Sequence, residues 1–132
     1  MPRVVHFEIS VDEPERACRF YNNVFGWQTR KWGESGGGID ASQEYWLIET
    51  GDEGERGING GLYRRHQGMG FTAHVNTIDV PSVDDFIEKV QAHGGRAVTQ
   101  KMHIPGVGHF AYCEDTEGNT FGILQPEPRA TD

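Results

Sequence analysis

Apolar and polar residues alternate along the first segment of the chain, from Val4 to Val11. The apolar residues of this segment are Val5, Phe7, Ile9 and Val11, and the polar residues between them are His6, Glu8 and Ser10. Because successive side chains of a β-strand point to opposite faces, the pattern predicts a strand with one buried face and one polar face.

An amphipathic helix is predicted after this strand. Its apolar residues recur at helical spacing and are Ala17, Phe20, Tyr21, Val24 and Phe25. Asp12 and Glu15 are spaced like a capping box, Pro14 suits a first helical turn, and Gly26 is a typical stop. Three further strands are predicted at Trp27–Trp32, Glu44–Thr50 and Gly57–Tyr63.

The same order of elements recurs in the second half of the chain, at a constant offset. His6 and His74 are 74 − 6 = 68 residues apart, and Gly26 and Gly94 are 94 − 26 = 68 residues apart. The predicted elements are a strand at Phe71–Ile78, a helix opened by Pro81 and Ser82, and strands at Ala97–Gln100, His109–Cys113 and Thr120–Gln125.

A repeat of this kind predicts the architecture of the whole chain. We expect an α+β fold of two paired βαβββ modules, at residues 1–64 and 65–132, which form one structural domain by duplication. The helices cover one face of a curved sheet, and the other face forms a cleft. The polar residues of the two first strands, which include His6, His74 and Asn76, are expected to point into that cleft.

Composition narrows the classes of partner. The net charge is −8, and no basic cluster exceeds Arg64-Arg65, so nucleic acid and anionic membrane surfaces are excluded as partners. Cys18 and Cys113 lack the spacing of a metal motif and are expected to be free thiols. We expect a cytoplasmic protein, since no signal-like or membrane-spanning apolar run is present.

Several short motifs are similar to those of one known family. They are VHFEI at residues 5–9, FYNNVFGW at 20–27, INGGL at 58–62, IPGVG at 104–108 and DTEGNTFG at 115–122. Together they resemble the vicinal oxygen chelate superfamily of glyoxalases, bleomycin-resistance proteins and extradiol dioxygenases, in particular a bacterial glyoxalase-like subgroup. The resemblance implies the paired βαβββ fold and a homodimer, and it leaves the chemistry open.

Metal-dependent members of that superfamily hold a divalent ion with one ligand from each of four strands, and the ion polarises neighbouring substrate oxygens. Transferred to this chain, the first ligand falls on His6, and the third falls on His74 or beside it on Ala73. The second and fourth fall near Gly60 and on Gly122, which have no side chains.

Two substitutes for the missing ligands are present. Glu8 shares a predicted face with His6, and His109 lies on a later strand. Two imidazoles with one carboxylate suit iron, manganese, zinc or nickel. His6, Glu8 and His74 are therefore the candidate metal ligands, and Glu8 and His74 are the candidate catalytic residues.

Two functions follow, and the missing ligands favour the first. In the first, the protein binds a small molecule in the cleft without the full metal site, against aromatic residues that include Tyr45, Trp46, Phe110, Tyr112 and Phe121. The candidate polar contacts for that ligand are Asn59, Asn76, His109, Tyr112 and Gln125. In the second, the chain is a divalent-metal-dependent lyase, isomerase or dioxygenase acting on a small oxygenated substrate.

Overall fold

The structure is a computed structural model of the chain, and it describes residues 2–32, 44–65 and 74–128. Contacts divide the chain into two compact units. The first unit is His6–Val75, and the second unit is Asn76–Asp132 together with Met1–Val5.

The first unit contains one helix and a four-stranded sheet. Its elements are β1 (Arg3–Val11), α1 (Pro14–Phe25), β2 (Gln28–Trp32), β3 (Tyr45–Glu49) and β4 (Gly60–Arg64). The strands lie in the order β2-β3-β4-β1, with β1 parallel to β4 and the other pairs antiparallel. The strand–helix–strand–strand–strand order predicted for this half is therefore confirmed.

The apolar side of this sheet packs under α1. Ile9, Trp46, Ile48 and Leu62 form its buried core, and Phe7, Val11 and Tyr21 pack against them. The predicted apolar face of β1 is thereby confirmed from Phe7 to Val11, whereas Val5 is 42% exposed.

The ends of α1 are only partly as expected. Pro14 occupies the first turn, and Gly26 closes the helix with φ of 76°, a left-handed conformation that favours glycine. The predicted capping box is wrong, because the N-cap is Glu13 and its side chain makes no capping hydrogen bond. The carboxylate of Asp12 instead accepts a hydrogen bond from Arg65 at 3.0 Å.

The second unit repeats this plan with one additional strand. Its elements are β5 (His74–Asp79), α2 (Val83–Ala92), β6 (Arg96–Ala97), β7 (Met102–Ile104), β8 (Gly108–Glu114) and β9 (Thr120–Pro126). β5 runs parallel to β9, β9 pairs antiparallel with β8, and β8 also pairs with β6 and β7. Its core, under α2, contains Val80, Val83, Ala111, Cys113 and Ile123.

The strand predicted at Ala97–Gln100 is wrong in extent, and β7 was not predicted. β6 covers only Arg96–Ala97, and the backbone N–H groups of Val98 and Thr99 both bond to the carbonyl of Tyr112. Three residues of β7 before the turn that begins at Pro105 are too few for an alternating pattern to be recognised. Residues 71–73 of the predicted strand, including Thr72, lie outside the described residues.

The structural offset between the two halves is 69 residues and not 68. Ile9 pairs with Leu62 under α1, and Ile78 pairs with Ile123 under α2. These pairs give 78 − 9 = 69, and the N-cap residues Glu13 and Ser82 give 82 − 13 = 69.

The corrected offset changes which residue of β5 corresponds to His6. Val75 takes that position, since 75 − 6 = 69, and Thr77 takes the position of Glu8. A slip of one residue reverses the face on which a strand side chain lies. His74 therefore shares a face with Ile78, which packs under α2, and the expected equivalence of His6 and His74 is wrong.

Candidate functional site

Polar and aromatic side chains lie together on the face of the first-unit sheet that is turned away from α1, which we call the polar face. The pairing of β1 with β4, β4 with β3 and β3 with β2 defines its members. They include His6, Glu8, Ser10, Trp32, Tyr45, Gly61 and Tyr63. Trp32 and Tyr45 meet edge to face, with ring centroids 5.6 Å apart.

A chain of hydrogen bonds joins His6, Tyr45 and Glu8 on this face. The Tyr45 hydroxyl donates to Oε2 of Glu8 at 3.0 Å and lies 2.9 Å from Nε2 of His6. Because the hydroxyl has one hydrogen and gives it to the carboxylate, Nε2–H of His6 must donate to the hydroxyl oxygen. In the neutral imidazole this tautomer leaves the lone pair on Nδ1.

The surroundings keep these groups uncharged near neutral pH, apart from the carboxylate. Burial lowers the pKa of His6, and the nearby charge of Glu8 opposes that change only in part. Burial and the charge of Glu8 raise the pKa of Tyr45 well above its ordinary value. The same two causes raise the pKa of Tyr63 to about 12, although Arg65 opposes them.

The lowered pKa of His6 predicts a specific pH dependence of stability. Since the unfolded imidazole binds its proton near pH 6.5, stability is lost as the pH falls from above that value towards the lower pKa of the folded state. We expect His6→Asn to reduce this loss, measured as the difference between urea midpoints at about pH 7.5 and about pH 5.5. The exposed His74→Asn is the control, and an H6N protein with the pH dependence of the unchanged chain would contradict the assignment.

Gly61 provides the space that Tyr45 occupies. A Cβ atom at position 61 would overlap the hydroxyl oxygen and Cζ of Tyr45 and would lie 2.5 Å from Cε1. At Gly60, on the opposite face, a Cβ would lie 2.5 Å from the carbonyl oxygen of Phe7. Neither glycine leaves open space where the resemblance places a metal ligand, because neighbouring groups fill both positions.

Gly122 of β9 has an equivalent arrangement in the second unit. A Cβ there would lie 2.5 Å from Cζ of Phe110 and 3.4 Å from the hydroxyl of Thr77. The Phe110 ring is buried and meets Tyr112 edge to face at 4.8 Å. An aromatic ring therefore takes the space of the glutamate that the resemblance implies at this position.

The predicted metal ligands are not gathered into one site. His6 and Glu8 are joined through Tyr45, and His74 lies on the helix-side face of its strand. Within residues 2–32, 44–65 and 74–128, no three His, Cys, Asp or Glu side chains are placed to hold a metal ion. The divalent ion used by metal-dependent members of the superfamily therefore does not fit the described residues.

Two of the predicted ligand contacts hold local structure. Oδ1 of Asn59 accepts a hydrogen bond from the backbone N–H of Thr50 at 2.9 Å, which closes the loop between β3 and β4. Oε1 of Gln125 accepts from the backbone N–H of Val83 at 3.0 Å, at the start of α2.

The other three predicted contacts lie on different faces of the second-unit sheet. His109 shares a face with Ala111 and Cys113 of the α2 core, and its Nδ1 is buried without a hydrogen-bond partner among the described residues. Tyr112 is buried on the opposite face, against Phe110. Asn76 is exposed on β5. Of the predicted aromatic lining, Trp46 and Phe121 pack towards the helices.

Comparison with known proteins gives a family. The family model described as "Glyoxalase/Bleomycin resistance protein/Dioxygenase superfamily" matches residues 3–123. The chain is 30% identical over 122 residues to "Putative glyoxylase CFP32" of Mycobacterium tuberculosis, covering 92% of this chain and 43% of that protein. It is 30% identical over 118 residues to a "Glyoxylase-like domain-containing protein" of Didymella fabae, covering 88% of each. It thus spans less than half the length of the mycobacterial relative.

Solved structures share the fold at low sequence identity. Methylmalonyl-CoA epimerase from Mycobacterium tuberculosis has a TM-score of 0.68 at 14% identity, over 95% of this chain and 88% of that one. The hypothetical protein BH1468 from Bacillus halodurans C-125 has a TM-score of 0.70 at 15% identity, over 99% of both chains. No helix in the described ranges is long and apolar enough to span a membrane. The expected fold class is confirmed, and the chain belongs to the glyoxalase/bleomycin resistance protein/dioxygenase superfamily.

Proposed function

We propose that the chain binds a small organic molecule on the polar face of the first unit and needs no divalent ion to do so. One observation carries this proposal. The Tyr45 hydroxyl bonds both Nε2 of His6 and Oε2 of Glu8, the two atoms closest to a family ligand set in this unit. A phenol thus takes the place between them that an ion takes in metal-dependent relatives.

The groups around this chain favour an oxygenated, partly aromatic ligand. Tyr63 is buried as a residue, and its hydroxyl has no hydrogen bond to a protein group in the described ranges, so it is free to donate to a ligand oxygen. Trp32 and Tyr45 supply ring edges and faces for a flat molecule. An anionic ligand is disfavoured, because Glu8 lies on the same face.

The experiment is a ligand-observed NMR screen of uncharged aromatic ketones and phenols against the intact chain. For the tightest hit, we expect Tyr63→Phe to weaken binding by roughly five- to tenfold, the value of one net hydrogen bond of about 1 kcal/mol. Tyr21→Phe, which changes a phenol on the α1 side, is the matched control and should leave the affinity unchanged. Chelator treatment should also leave it unchanged.

Two results would overturn this proposal. One is a hit whose binding is abolished by the chelator and restored by zinc, manganese, iron or nickel. The other is equal weakening by Tyr63→Phe and Tyr21→Phe, which would place binding away from the polar face.

A second candidate function rests on His6. Its lowered pKa and the lone pair on Nδ1 suit a base that takes a proton from carbon beside a carbonyl. In that step the C–H electron pair moves to form an enolate, and the proton returns from the imidazolium to either face of the carbon. Exchange of such a proton for solvent deuterium, lost in His6→Asn, distinguishes this activity from binding alone.

Assembly and location belong to the same proposal. We propose a homodimer, supported by the prevalence of twofold symmetry among soluble oligomers. A reducing compartment such as the cytoplasm is supported by the two cysteines, since Cys18 and Cys113 are both free thiols.

A further inference from the structure

A second cavity lies on the other side of the first unit, beside α1. Its volume is about 510 Å³, within the range of small-molecule sites. Its apolar lining consists of Ile9, Val11, Ala17, Phe20 and Tyr21. Phe20 is 56% exposed, so a ligand in this cavity would cover apolar surface that now faces solvent.

The charged groups of this cavity are unequally paired. Asp12 accepts a hydrogen bond from Arg65 at 3.0 Å, and Arg65 is fixed further by donating to the carbonyl of Ser10 at 3.0 Å. Glu13 also lines the cavity and interacts with the charge of Arg64. Arg16 and His74 have no hydrogen bond or ion pair with any residue in the described ranges.

We propose that this cavity binds a small organic carboxylate with an apolar body, with Arg16 pairing with the carboxylate. A guanidinium matches a carboxylate through two parallel N–H···O bonds. The apolar lining takes the body of the ligand, and His74 lies at the rim as a further donor. This site is separate from the polar face and does not depend on the function proposed for it.

The second unit shows that the fold does not require this combination. At the offset of 69 residues, Arg16 corresponds to Asp85 and Phe20 corresponds to Lys89. The same helix positions in α2 therefore carry an acid in place of the cation and a cation in place of the aromatic ring. The unpaired arginine beside an exposed ring is a property of the first unit alone.

The test is a titration of the intact, ¹⁵N-labelled chain with octanoate, followed by amide shifts. For a ligand of about ten heavy atoms we expect a Kd near 1 mM, with shifts centred on residues 9–21. Arg16→Glu should weaken binding at least about tenfold, the value of one charge-assisted hydrogen bond. Arg19→Glu makes the same charge change on α1 outside the cavity lining and should change the Kd less than about twofold.

Two further comparisons separate the cavity from general effects. 1-Octanol, which keeps the apolar body and lacks the charge, should bind at least about tenfold more weakly than octanoate. Ala17→Trp should block octanoate by filling the cavity. The proposal is overturned by an absence of saturable shifts up to about 10 mM octanoate, by equal weakening in R16E and R19E, or by shifts centred on Tyr45 and Tyr63.

Discussion

Gly61→Ala is expected to destabilise the protein by about 2–3 kcal/mol, towards the upper end for overpacking a well-filled site. The new methyl group would occupy the place of the Tyr45 hydroxyl and ring edge. The phenol must then leave Glu8 and His6, so a buried carboxylate loses a hydrogen bond in addition to the steric cost. Urea denaturation measures the change, and near-ultraviolet circular dichroism reports displacement of the ring.

A matched set of variants isolates the cause of this effect. Gly51→Ala in the same unit meets only the flexible carboxylate of Glu55, with the nearest oxygen at 3.2 Å, and should change stability by less than about 0.5 kcal/mol. Tyr45→Phe should not rescue Gly61→Ala, because ring carbons also overlap the new atom, whereas Tyr45→Ala should. An unaltered stability in G61A, or rescue by Tyr45→Phe, would show that the ring is placed elsewhere.

Gly122→Ala is expected to cost a similar amount, about 2–3 kcal/mol, in the second unit. A Cβ at this position would lie 2.5 Å from Cζ and 2.8 Å from Cε2 of Phe110. The ring has little freedom to move, because it is 6% exposed and packs against Tyr112.

A double-mutant cycle with Phe110→Leu tests this contact. The shorter side chain removes the ring atoms that meet the new methyl group, so the double variant should be at least about 1 kcal/mol more stable than the sum of the single changes predicts. Additive effects would contradict it. Success would also mean that a glutamate cannot be restored at position 122 without first removing the ring.

Part of this fold could be predicted because it depends on local pattern. The alternation of β1 identified the faces of Phe7, Ile9, His6 and Glu8 correctly, and glycine and proline marked the ends of α1. Such features need only neighbouring residues, since a strand repeats every two residues and a helix every 3.6.

The centre of the candidate site depends on strand register, which a single sequence does not contain. Tyr45 meets His6 across 39 residues of chain because β4 lies between their strands. Nothing near Tyr45 distinguishes it from Trp46, its neighbour on the opposite face. The position of His74 failed for the same reason: the two histidines match at an offset of 68, while the strands repeat at 69.

Tyr45 acts as an internal ligand that the chain carries on its own backbone. A molecule from solution that seeks His6 and Glu8 must compete with a phenol held at high effective concentration by its covalent attachment. The chain is thus protected against casual occupation of these two groups, by water or by ions. It also means that a single exchange at position 45 can convert a filled site into a receptor, with the imidazole and the carboxylate already in place.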